Sequence, residues 1–131
     1  MTGGEITSMT FYISKPASEA WTSTLEVRLM ETEATNFTST SFIDMSDAAT
    51  VYSGTLDGTG STMVISFETP YVYNGGNLLV DIRSVTDGNY KSCTFSGVAT
   101  TGGSISGYNS TSVDAITNQT LRAFTPKTTF N

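Results

Sequence analysis

The chain is 131 residues long, with 6 basic against 12 acidic side chains and a formal net charge of −6. That length supports one packed core, and the acidic balance disfavours nucleic acid and anionic lipid as partners. Histidine is absent, which excludes Ser-His-Asp and Cys-His catalysis, HExxH zinc sites and imidazole acid–base pairs.

Residues 1–4 lack the basic and apolar regions of a signal peptide, and no apolar run reaches the ~18 residues of a membrane span. An exported parent is therefore expected to have lost its signal, leaving an excised module over 1–131. The apolar residues then come in short stretches of period two. Met9, Phe11 and Ile13 alternate with Ser8, Thr10 and Tyr12, and Leu25, Val27 and Leu29 with Glu26, Arg28 and Met30. This is the pattern of half-buried strands. A strand near 50–56 follows, then 62–68, where Met63, Ile65 and Phe67 share a face, and 77–85, where Leu78, Val80 and Ile82 do. Further strands are expected at 90–98, 105–108 and 119–124, with the polar stretch 99–119 forming loops or a poorly formed edge. Ser46-Asp47-Ala48-Ala49 and 17–20 are too short for more than one helical turn each.

Turn residues punctuate this pattern. Asp57-Gly58-Thr59-Gly60 and Asp87-Gly88-Asn89 read as hairpin turns, because Asp-Gly tolerates positive φ. Thr69-Pro70 reads as a strand end, and Asn74-Gly75-Gly76-Asn77 as a loop. The sum is an all-β fold: an antiparallel β-sandwich, jelly-roll-like, of about eight strands with no substantial helix. The Trp on a central strand and the paired cysteines of antibody-type domains are both missing. The expected core is Phe11, Ile13, Leu25, Val27, Leu29, Ile65, Phe67, Leu78, Val80, Ile82 and Phe95. Cys93, the only cysteine, shares a face with Phe95 and reads as a small buried hydrophobe.

Val51-Tyr52-Ser53-Gly54, the run Phe67-Glu68-Thr69-Pro70-Tyr71-Val72-Tyr73-Asn74-Gly75-Gly76-Asn77-Leu78-Leu79-Val80 and the terminal Phe124-Thr125-Pro126-Lys127-Thr128-Thr129-Phe130 resemble modules of large secreted proteins of gut Bacteroidales. The resemblance implies a galactose-binding-like jelly roll, often set beside fibronectin type III domains. It also implies a secreted or cell-surface location and a role in carbohydrate binding or adhesion. It brings no catalytic motif.

Sugar sites pair an exposed aromatic plane with a few polar groups that bond hydroxyls. Aromatic residues off the inward faces are Tyr12, Trp21, Tyr52, Tyr71, Tyr73, Tyr90 and Tyr108. The ligand-binding candidates singled out are Trp21, in the loop before the second strand, Tyr71 and Tyr73, beside the 74–76 loop, and Tyr108 with Asn109. Structural calcium takes six to eight oxygens. Asp57, Asp87 and Asn89 are loop oxygens of that type, although turn chemistry accounts for both aspartates and no DxDxDG spacing is present. No motif pairs a candidate acid with a nucleophile, and Glu26, Glu68 and Asp81 read as strand residues that guard against edge pairing. An enzyme is therefore not expected. The expected function is a non-catalytic carbohydrate-binding module, monomeric as an isolated domain. The alternative is a structural or adhesive spacer that binds a host or neighbouring surface protein, or no ligand. Convergence of Trp21, Tyr71, Tyr73 and Tyr108 at one end favours sugar; burial or dispersal favours a spacer.

Overall fold

The computed structural model of the chain describes residues 3–109, 111–117 and 119–131. Nine strands follow in order: β1 (Gly4–Lys15), β2 (Leu25–Thr32), β3 (Ala49–Gly54), β4 (Thr62–Tyr73), β5 (Asn77–Ser84), β6 (Thr94–Phe95), β7 (Gly97–Gly107), β8 (Gln119–Pro126) and β9 (Thr128–Phe130). A single 3-10 turn at Val113–Ala115 is the one helical element among the described residues, and no helix there is long and apolar enough to cross a membrane.

β1 organises the first sheet. It pairs with β4 along one edge, and with β9 and β6 placed end to end along the other. The second sheet is β3-β2-β5, and every pairing in both is antiparallel. The chain crosses between these sheets at four of its first five connections, all but β2 to β3. The expected all-β sandwich, of about eight strands and without substantial helix, is the observed architecture.

The core lies between the sheets. Met9, Phe11 and Ile13 from β1 and Met63 and Ile65 from β4 meet Val27 and Leu29 from β2, Val51 from β3 and Leu56. Period-two alternation aims these side chains inward, and each fully buried large one contributes about 1.5–3 kcal/mol. Phe11 and Phe95 pack edge to face at 5.9 Å. Leu25, Phe67, Leu78, Val80 and Phe95 are half-buried against this cluster rather than inside it. Ile82 departs further: it is 38% exposed, because β5 is the outer strand of its sheet and Ile82 stands close to its end.

The register shifts in four pairings, β1–β4, β1–β6, β2–β3 and β7–β8, and two of these bulges are large. Ile6 pairs with Tyr71 but Ser8 with Ser66, so residues 67–70 stand opposite Thr7 alone. Pro70 therefore sits inside β4 rather than ending it, at a position where the ladder needs no donor. Within the bulge Glu68 accepts a hydrogen bond from the Ser53 amide at 2.8 Å, tying β4 to β3 across the sheets. In the second bulge, residues 100–103 of β7 stand opposite Ala123.

Both expected hairpin turns prove to be crossings, since β3 and β4 lie in different sheets, as do β5 and β6. The Asp57 carboxylate accepts from the amide and hydroxyl of Thr59 at 2.9 and 2.6 Å. That local turn closes whether or not the flanking strands pair; their partners are set by which faces must be buried. Of the polar stretch 99–119, residues 99–107 and Gln119 lie in a two-stranded ribbon of β7 and β8. Its legs fork at Ser96, whose amide bonds the Tyr12 carbonyl at 2.7 Å, and at Lys127, whose amide bonds the Ser96 carbonyl at 2.8 Å.

Candidate functional site

The connections 16–24, 55–61 and 85–93 gather at one end of the sandwich, where Leu25 pairs with both Gly54 and Ser84 and Thr62 pairs with Tyr12. Trp21 lies among them, half-buried and packed on the core. Its indole Nε1 donates to the Lys91 carbonyl at 2.9 Å, and its ring approaches Gly58 so closely that a Cβ there would lie 2.4 Å from a ring carbon. Trp21 thus seals the end of the core rather than standing out as a platform. Cys93 packs beside Gly58 as well, and burial pushes its thiol above the usual range, in keeping with an apolar role.

Tyr71 and Tyr73 lie at the opposite end. Tyr73 is only 6% exposed and its hydroxyl donates to the Gly76 carbonyl, so it offers no face to a sugar. Tyr71 is half-buried against the core, and burial, followed by the nearby Glu31 charge, raises its phenol. Glu31 caps the adjoining turn. Its carboxylate accepts from the amides of Gly76 at 2.9 Å and Asn74 at 3.1 Å and from Asn74 Nδ2 at 2.9 Å. The bond from Gly76, then that from the Asn74 side chain, holds it below the usual carboxylate range. The four aromatics whose convergence would favour sugar are therefore dispersed.

A different pair converges. Tyr90 and Tyr108 are 89% and 77% exposed, and both line an open cleft of about 720 Å³ with Ser23, Ser84 and Asp87. The cleft lies between two parts of the fold: Tyr90 follows the 87–89 turn at the sandwich end, and Tyr108 stands at the tip of the β7–β8 ribbon. Two exposed phenol rings beside hydroxyls and one carboxylate can stack on the apolar face of a ring and bond its polar edge. Tyr90 was visible in the sequence only as an aromatic off the inward faces; its place just after an Asp-Gly-Asn turn was the signal for an exposed ring.

The two asparagines at this cleft are committed elsewhere. Asn89 Oδ1 accepts from the Thr22 amide at 2.7 Å while its Nδ2 donates to the Ala20 carbonyl at 3.1 Å, so it fastens 85–93 to 16–24. Asn109 Oδ1 accepts from the amides of Thr111 and Ser112 at 2.8 and 3.0 Å, and its Nδ2 donates to the Ala115 carbonyl at 3.0 Å. Both side chains therefore brace the walls of the cleft through bonds to nearby backbone. The calcium expectation fares no better. Asp57 is engaged in its own turn beside a separate, smaller cleft, Asn89 is engaged as described, and among the described residues no three acidic, His or Cys side chains gather in one cluster.

No known protein family, curated protein or solved structure matches this chain.

Proposed function

We propose that this chain is a non-catalytic carbohydrate-binding module of a secreted or cell-surface bacterial protein, akin to the Bacteroidales modules its sequence resembles, and that it holds glycan in the Tyr90–Tyr108 cleft. The observation that carries this reading is that the two most exposed tyrosines of the sandwich line one cleft. Rings left this open to water gain about 0.5–1.5 kcal/mol or more when a flat apolar face covers them. Seryl hydroxyls and Asp87 in the wall supply partners for sugar hydroxyls. The test is a screen of the purified chain against a glycan array and insoluble polysaccharides. The expected result is a reproducible hit that Tyr90→Ala and Tyr108→Ala each abolish while circular dichroism stays unchanged.

A second reading, a structural or adhesive spacer, is favoured by one observation. Trp21, Tyr71 and Tyr73 are engaged in packing at opposite ends. A blank across the whole screen supports the spacer and defeats the carbohydrate reading.

A further inference from the structure

Resting on that reading of the Tyr90–Tyr108 cleft, we propose that the cleft takes uncharged glycan and rejects chains bearing uronate, sialate or sulfate groups. Selection by charge needs either a free cation for an anionic sugar or the lack of one, and the surroundings of this cleft decide between them. Asp87 lies in the wall itself. The two cations adjacent in the chain to wall residues are matched already, and Arg122, on β8 of the ribbon, lies outside the wall and bonds the Ser106 hydroxyl at 3.3 Å. Lys91, next to Tyr90 in the chain, places its Nζ 2.8 Å from Glu19. Arg83, next to Ser84 of the wall, lies 3.1 Å from Glu26 and 3.3 Å from Asp114. Lys91 and Arg83 are thus bound to three carboxylates (Glu19, Glu26 and Asp114), and Asp87 is the one charged residue of the wall.

Recognition of a carboxylate or sulfate works best with a guanidinium fork or ammonium free to turn toward it. Recruiting Arg83 or Lys91 would leave Glu26, Asp114 or Glu19 without its partner. The donors that remain in the wall include the hydroxyls of Ser23 and the two phenols, which suit the hydroxyls of a neutral ring; the Ser84 hydroxyl donates to the Thr86 carbonyl at 3.0 Å and is left as an acceptor. Asp87 adds an acceptor that a sugar hydroxyl can satisfy and a sugar carboxylate cannot. The net charge of −6 on the whole chain repels polyanions at longer range as well.

Affinity electrophoresis of the full chain against matched neutral and anionic polysaccharides tests this: galactan with polygalacturonate, xylan with glucuronoxylan, agarose with carrageenan. The expected result is retardation by at least one neutral polymer, lost in Tyr90→Ala and Tyr108→Ala. Its anionic match should bind at least about fivefold more weakly at low salt, as repulsion by one nearby carboxylate implies. High salt and Asp87→Asn should each narrow that gap. An anionic polymer held as tightly as its neutral match, with the same dependence on the two tyrosines, overturns the charge selection and leaves the carbohydrate reading standing. Retardation by none of the six, or retardation that survives both tyrosine substitutions, overturns the reading of the cleft and this inference together.

Discussion

Arg83 and Asp114 meet at 3.3 Å, and through this pair the tip of the β7–β8 ribbon is tied to the sandwich that carries Tyr90. Asp114 is 83% exposed, and a pair of that kind contributes about 0–1 kcal/mol to stability. Its importance is positional, because Tyr108 stands on the ribbon and its partner ring does not. Asp114→Asn should leave the urea midpoint within error of the parent while weakening glycan retardation severalfold, chiefly through faster release. Unchanged retardation would show that the ribbon tip is held in place without the ion pair.

Trp21 should behave in the opposite way. Its ring fills the space between Gly58 and the segment carrying Lys91 and Cys93, so Trp21→Ala opens a cavity at the end of the core. A loss of about 2–4 kcal/mol is expected in urea unfolding, toward the lower part of the range for aromatic truncations because the ring is only half-buried. Tyr90→Ala removes a ring that touches mostly water and should stay within about 0.5 kcal/mol of the parent. As the only tryptophan, Trp21 also reports unfolding by its own fluorescence.

The contrast shows where the sequence was legible. Alternation located β1, β2, β4 and β5, because a strand with one buried face must repeat every second residue. It located Phe11, Ile13, Val27, Leu29 and Ile65 in the core for the same reason. It failed where a bulge resets the phase: Ile6 is buried three residues before Met9, and Pro70 lies within a strand. It also failed where turn chemistry was read as pairing, since Asp57 closes its turn without making β3 and β4 neighbours. The site was legible in part. Tyr108, a candidate from the sequence, is exposed, but Trp21 and Tyr73 are absorbed by packing, and Tyr90, which lines the same cleft, is 18 positions away in the chain. No local pattern encodes that convergence; it depends on where the ribbon folds.

The ribbon's own geometry rests on Gly102. With φ of +63°, it lies in the left-handed region that favours glycine. Its carbonyl accepts from the Phe37 amide at 2.7 Å, and a Cβ at this position would lie 2.1 Å from the Phe37 carbonyl oxygen. Gly102→Ala therefore combines an unfavourable φ with a clash against backbone, and should cost at least about 1–3 kcal/mol. Amide exchange should quicken at Phe37 and across the β7–β8 ladder. If instead the substitution is neutral, residues 33–48 are not anchored on the bulge of β7.

Acid sensitivity provides the last check, through Glu31. In the folded chain the amides of Gly76 and Asn74 hold its carboxyl below the usual range, whereas the unfolded chain restores the ordinary value. A group of this sign stabilises the fold at pH values above its unfolded pKa, and that contribution is lost as the pH falls through the lowered folded value. Glu19, lowered by its bonds to Lys91 and Asn89, and Asp57, lowered by Thr59, act in the same direction. Stability measured by urea unfolding should therefore decline as pH falls through the carboxylate range. Glu31→Gln keeps the shape but loses the charge that gathers three N–H donors, so its pH profile should be flatter on the acid side and its stability lower at neutral pH. The effect should be confined to one end of the sandwich: exchange at the amides of Asn74 and Gly76 should quicken, while exchange around Tyr90 and Tyr108 stays as in the parent. An acid limb as steep in Glu31→Gln as in the parent would assign the sensitivity to the other lowered carboxyls, Glu19, Asp57 and Asp44, the last held down by its bonds from Ser46.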